Sequence, residues 1–279
     1  MDVGEAAALG LLVQYAMDSF TADPANIAPP ADPRLSPQWK LLGHLTAFDA
    51  VFRKGPLNFG NAVCYGFLAQ STTDPTSFAV AIRGTAGTLE WLDDAEFLPV
   101  QHPIAGTVEA GFWGIYQSME FQPLGGTLRP APAGIAAAVG QGSIVVIGHS
   151  LGAPLATYLA FDLSAAGLLG DRVQSILFAS PRPGDSQFGA AFATSVKRYQ
   201  LFNYDLDIVP RVPLGNSYTD LPGAVWIDPD TAQCKVGFSL FCHHHLLCYL
   251  AMLDYALMNW QATPVCDYQY TVCIKGKTP

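Results

Sequence analysis

Three short, nearly unbroken apolar runs stand out along the chain: Ser77–Ile82, Ser143–Ile147 and Val173–Ala179. Runs of this length without alternation predict strands buried on both faces. Arg198–Tyr204 reads as a further strand, Ala62–Gln70 alternates around Cys64 and Tyr65, and Tyr218–Ile227 adds one more. Helical spacing appears between them. Ala6–Phe20 repeats apolar residues at Leu9, Leu12, Val13 and Ala16, and Phe112–Glu120, Ala133–Val139 and Leu151–Leu163 also read as helices. Cys242–Trp260 reads as one apolar helix opened by three histidines. Phe97–Val100 and Thr107–Gly111 suggest a hairpin or an irregular link, and the Pro-rich stretch Asp23–Pro37 an extended loop. Strand alternating with helix predicts an α/β fold, a mainly parallel sheet covered by helices on both faces. Ligands in such sheets bind beyond the carboxyl ends of the strands. No linker interrupts the middle, so residues 1–279 are expected to form a single domain.

Only 13% of the residues are charged, against about 25% in an average chain, which agrees with a large two-sided core. The net charge of −9 argues against nucleic acid and against electrostatic attraction to anionic membranes. No run of about 18 apolar residues predicts a transmembrane span. The acidic start Met1-Asp2-Val3-Gly4-Glu5 lacks the basic region of a signal peptide. Six cysteines permit disulfides, with Cys234–Cys242 and Cys266–Cys273 the easiest local pairs.

The chemistry centres on Gly148-His149-Ser150-Leu151-Gly152, where a predicted strand runs directly into a predicted helix. This is the nucleophile-elbow pattern, a tight turn that lifts a serine hydroxyl clear of a sheet. Glycine is needed two residues before and after the serine because the strained turn brings those positions together. The helix that follows directs its positive end toward a developing oxyanion. A second oxyanion donor is expected from the loop after an early strand. There Arg83-Gly84-Thr85 supplies a flexible turn, a backbone N–H and a hydroxyl. The next stretch, Thr88–Phe97, reads as a short amphipathic helix whose Trp91 suggests a movable cover.

A serine nucleophile needs a base, and the base an orienting carboxylate; on this fold the chain order is Ser, acid, His. His44 and His102 come too early, and the elbow turns the side chain of His149 away from the site. His243, His244 and His245 remain. Three adjacent histidines do not share one helix face and lack the spacing of a structural zinc site, so neither metal nor cofactor is expected. Asp207, fixed by the following Ile-Val-Pro, is a better acid than the turn residue Asp205.

Taken together, the chain resembles the fungal-type (class 3) triacylglycerol lipases from Ala6 to about Trp260. The motifs are Val80–Thr85, Trp91-Leu92-x-Asp94, Gly111-Phe112 with Tyr116, Gly148–Ala153, Ser180-Pro181-Arg182-x-Gly184, Asp207–Arg211 with Pro213, and His244-x-Leu246-x-x-Tyr249-Leu250. The resemblance implies an α/β-hydrolase fold with Ser150 as nucleophile, Asp207 as acid and His244 as base, His245 being the alternative. It implies Thr85 and the Leu151 backbone as oxyanion donors, and a lid over about 86–93 that includes Leu89, Trp91 and Leu92. The expected activity is hydrolysis of triacylglycerols and related lipid esters at an oil–water interface. The enzyme is expected to be secreted, its leader absent from this sequence. Rival readings are an esterase, a phospholipase A1 or a feruloyl esterase on the same scaffold, acyl transfer to an alcohol, or a non-catalytic lipase-like binding protein.

Overall fold

The computed structural model describes residues 2–48, 61–85, 97–215, 217–257 and 273–277. The expected lid, with Leu89, Trp91 and Leu92, therefore lies outside the described residues, as does most of 48–59.

A nine-stranded sheet organises these residues. The strands β3 (Ser77–Ile82), β8 (Ser143–His149), β9 (Val173–Phe178), β10 (Tyr199–Tyr204) and β11 (Val225–Ile227) run parallel as neighbours, in the order β11-β10-β9-β8-β3. Beyond β3 the sheet continues antiparallel through β2 (Ala62–Ser71), β1 (Trp39–Phe48), β6 (Glu120–Pro123) and β7 (Arg129–Pro130). β1 has no clean period in the sequence. Its register slips at Leu41/Gly43 and again at Leu45/Thr46, and each bulge reverses the inside–outside alternation. The link after residue 97 is a hairpin, β4 (Pro99–Gln101) with β5 (Thr107–Glu109).

Both sheet faces are covered. One carries α2 (Ala110–Gln117), α3 (Ala131–Val139), α4 (Gly152–Ala165) and α5 (Ser186–Ser195), packed through Phe112, Ile135, Leu155, Tyr158 and Phe188. The other carries α1 (Val3–Ala22), through Leu12 and Val13. The expected single helix from Cys242 is instead two: α6 (Leu240–His244) and α7 (Leu246–Leu253). His245 between them is extended (φ −68°, ψ 127°), and its Nδ1 accepts the Leu247 N–H to cap α7. A side chain that caps a helix start competes with passage of the helix through it.

Of the pairings that six cysteines permit, the described residues hold one that is not local. Cys242 is bonded to Cys273, across 31 residues, and not to Cys234. Cys234 instead lies on β12 (Cys234–Val236), which pairs antiparallel with β13 (Ile274–Lys277). That pairing brings Cys273 beside the 237–242 turn, where the Gly237 N–H also donates to the Cys273 carbonyl. Cys266 lies outside the described residues. No helix among the described residues is long and apolar enough to cross a membrane.

Candidate active site

The elbow forms as its glycines require. Ser150 has φ +57°, a left-handed conformation that costs a side-chain-bearing residue energy and is held by its surroundings. A Cβ on Gly148 would lie 2.3 Å from the Gly152 carbonyl oxygen, and one on Gly152 would lie 2.4 Å from that of Ile82. Both positions therefore exclude any larger residue. The second contact also seats the elbow on the end of β3, where the Arg83-Gly84-Thr85 loop begins. The Ser150 N–H donates to the Phe178 carbonyl at 3.0 Å, tying the turn to β9.

Gly84 faces the serine directly: a Cβ there would come within 2.9 Å of Ser150 Cβ. Thr85, the next residue, is buried, and Leu151 is buried at the N-cap of α4. Arg83 anchors this loop from inside the protein. Its Nε donates to the Cys64 carbonyl at 2.7 Å, one terminal nitrogen donates to the Gly84 carbonyl at 2.7 Å, and the guanidinium lies over the Phe20 ring.

Asp207 follows β10 and is buried. Its Oδ2 accepts from His244 Nδ1 at 2.7 Å and from the Tyr249 hydroxyl at 2.7 Å, while Oδ1 accepts the Val209 N–H at 3.0 Å. Tyr249 in turn accepts the Tyr204 N–H at 2.9 Å. Burial and the neighbouring Asp207 push the Tyr249 phenol well above its ordinary pKa, so it stays a donor. The Asp207 carboxylate fixes the His244 proton on Nδ1 and leaves Nε2 as the basic nitrogen. Among the described residues, neither His244 Nε2 nor Ser150 Oγ has a hydrogen-bond partner, and both are buried.

Of the three consecutive histidines, only His244 meets the carboxylate. His245 caps α7, and His243 Nδ1 bonds the Leu206 carbonyl at 3.1 Å. His149, the residue before the elbow serine, packs on His244. Its Nε2 donates to the His244 carbonyl at 2.9 Å and its ring lies 4.9 Å from the His244 ring. Burial, then the adjacent His244, hold the His149 pKa well below the usual imidazole value, so it is neutral. His44 sits on β1 and His102 in the β4–β5 hairpin, away from these contacts.

Sequence reasoning assigned no role to Tyr249. The signal was present: a phenol inside the apolar run Leu246–Leu253 needs a buried partner for its hydroxyl.

The strand order, the elbow between β8 and α4 and the position of Asp207 after β10 define the α/β-hydrolase fold. The class 3 lipase family model matches residues 79–217. Among curated proteins it is 30% identical over 232 residues to Phospholipase A1-II 7 of Oryza sativa subsp. indica, with 66% of this chain and 54% of that protein covered. It is 26% identical over 195 residues to the secreted mono- and diacylglycerol lipase A of Penicillium cyclopium, covering 64% and 60%. The chain thus spans 54% to 60% of the length of these relatives. Among solved structures it is similar to the triacylglyceride lipase of Rhizomucor miehei (TM-score 0.59, 18% identity, 79% of this chain and 78% of that one). It is also similar to a lipase from Rhizopus microsporus var. chinensis (TM-score 0.59, 20% identity, 81% and 74%).

Proposed function

We propose that this chain is a serine hydrolase of lipid carboxylic esters. The observation that carries the reading is the 2.7 Å bond between Asp207 and His244 Nδ1, beside a strained elbow serine whose neighbour, His149, packs on the same imidazole. In this reading His244 Nε2 takes the Ser150 proton as Oγ attacks the ester carbonyl. Thr85 and the Leu151 N–H stabilise the tetrahedral oxyanion. The imidazolium returns the proton to the departing alcohol, leaving an acyl-serine. Water, activated by the same nitrogen, then releases the fatty acid and restores Ser150. Asp207 holds the tautomer throughout and stays ionised.

Triacylglycerol is the proposed substrate, since the fold neighbours include triacylglyceride lipases. The phospholipase A1 similarity at 30% identity supports a second reading, in which the ester is the sn-1 bond of a phospholipid. Secretion is part of the proposal. One relative is a secreted lipase, and a disulfide such as Cys242–Cys273 persists in oxidising compartments.

The test is fatty-acid release from emulsified medium-chain triglyceride and from phosphatidylcholine, comparing the protein with Ser150→Ala at matched folding. Release from triglyceride that the variant loses supports the first reading. Preferential release from phosphatidylcholine supports the second. No release from either, with soluble esters also untouched, rejects catalysis and leaves a binding protein.

A further inference from the structure

The Pro-rich loop that follows α1 runs over β1 and leaves a cleft of about 550 Å³ beside the strand. Pro29, Pro30, Pro33 and Leu35 line it from the loop, and Trp39, Leu41 and His44 from β1. Leu124, which follows β6, contributes as well. The cleft is separate from the catalytic residues. β2 stands between β1 and β3 in the sheet, and the lining includes none of Thr85, Ser150, Asp207 and His244.

The loop is held as a wall. Arg34 donates to both Asp32 oxygens, at 2.9 and 2.6 Å, and to Asp18 of α1 at 2.7 Å. Its guanidinium lies over the ring of Tyr15 on the same helix. Each proline fixes a further backbone angle. The space so kept open is in the range of small-molecule sites, about 300–1,000 Å³.

One polar group in the lining is unmet. His44 is 4% exposed, and its Nδ1 is buried without a hydrogen-bond partner among the described residues. A ligand that satisfies such a group removes a penalty the protein otherwise carries. His44 also lines an adjoining void of about 10 Å³ with Ser19 and Cys64, room for about one water-sized group.

The walls select the ligand. Proline rings and an indole present flat, apolar faces, and proline has no N–H to donate. Of the lining charges, Asp32 is paired with Arg34 and Lys40 is exposed, so neither offers a desolvated charge to an ion. Burial lowers the His44 pKa below its ordinary value, so the ring is neutral at neutral pH. A hydroxyl both donates and accepts, and therefore satisfies either tautomer of a neutral imidazole. We propose that this cleft binds an uncharged aromatic alcohol, its rings held between the prolines and Trp39 and its hydroxyl bonded to the His44 imidazole.

The test is titration of the full chain with 2-naphthol, naphthalene and 2-naphthoate, followed by heteronuclear NMR at the Trp39 indole and the His44 ring. 2-Naphthol is expected to saturate, to shift both signals, and to bind about tenfold more tightly than either of the others. His44→Phe keeps a ring of similar size but has no hydrogen-bonding atom. It is expected to abolish the preference for 2-naphthol over naphthalene, while the Kd for naphthalene stays within twofold and shows that the cleft is intact. Four results would each overturn the site: no saturable binding of 2-naphthol, shifts that miss Trp39 and His44, a preference for 2-naphthoate, or a hydroxyl preference that survives His44→Phe. Should that variant fail to fold, the ranking of the three ligands on the unaltered chain decides alone.

Discussion

The imidazole of His149 lies 4.9 Å from that of His244 and donates its Nε2 proton to the carbonyl of His244 itself. The residue before the elbow serine thus holds the main chain of the residue bonded to Asp207. His149→Phe keeps an aromatic ring but removes the donor. It is expected to lower kcat about ten- to hundredfold through misplacement, with KM within twofold. It should also lower stability by about 1–3 kcal/mol, because a buried carbonyl loses its partner. His149→Asn, which can still donate, recovers part of both. Steady-state kinetics and thermal unfolding of the pair check this, and equal kcat in all three proteins would rule out positioning by His149.

Asp207 accepts three hydrogen bonds, and its substitution separates orientation from packing. Asp207→Asn nearly preserves shape but lets the His244 ring take the wrong tautomer, and kcat is expected to drop about 10⁴-fold. Tyr249→Phe leaves the carboxylate charged but removes one donor to it and the acceptor of the Tyr204 N–H. Its kcat falls far less, while stability falls by about 1–3 kcal/mol. If Tyr249→Phe proved as inactive as Asp207→Asn, the phenol would have a larger role than support.

Two elbow glycines and one helix glycine should respond with opposite sign. Gly148→Ala and Gly152→Ala drive a methyl into backbone at 2.3–2.4 Å, and destabilisation of at least about 3 kcal/mol is expected. Gly114, exposed in α2, has nothing within 4 Å of its absent Cβ. Gly114→Ala is expected to stabilise by about 0.4–1 kcal/mol. Denaturant titration of the three variants is the measurement.

Acid should weaken the fold through its buried histidines. His102 Nδ1 accepts the Ile104 and Ala105 N–H groups, and its ring is edge-on to Trp113, Phe161 and Phe188. Burial lowers its pKa below 6.5, against a smaller raising effect of Asp162. Burial also lowers His44 and His149. A histidine held neutral in the native state binds its proton more readily once unfolded. Its stabilisation is complete above about pH 6.5 and is lost as the pH falls toward the native pKa. Glu109, raised by burial, acts in the opposite sense and is common to any pair compared. Stability measured from pH 7 to 5 should therefore fall less steeply in His102→Gln than in the unaltered chain, by up to about 1.4 kcal/mol per pH unit.

The Cys242–Cys273 bond closes a loop of 31 residues at the base of the segment before His244. Cys273→Ser, or reductant, is expected to cost about 3–4 kcal/mol of stability. Calorimetry with and without reductant reads it, and a transition insensitive to reductant would mean that the bond does not stabilise the fold.

Much of the site was legible because its signals are short-range. Gly148, Ser150 and Gly152 announce a strained turn by sterics alone. The strands ending at Ile82 and His149 are unbroken or nearly unbroken runs, and Asp207 is marked by the rigid residues after it. β1 was not legible, because its two bulges erase the period that betrays a strand. The break at His245 was also hidden, since an apolar run looks the same whether or not a side chain caps it midway.

By itself the sequence determined the alternation of strand and helix and the elbow, since these depend on the identities of neighbouring residues. Tertiary structure decided which of three adjacent histidines meets Asp207, which cysteine Cys242 takes, and what His149 and Tyr249 bond. Each of these is a choice among chemically equal candidates, made by where the chain has returned after tens of residues. The closing geometry of β10, α6 and α7 makes that choice, and no local pattern encodes it.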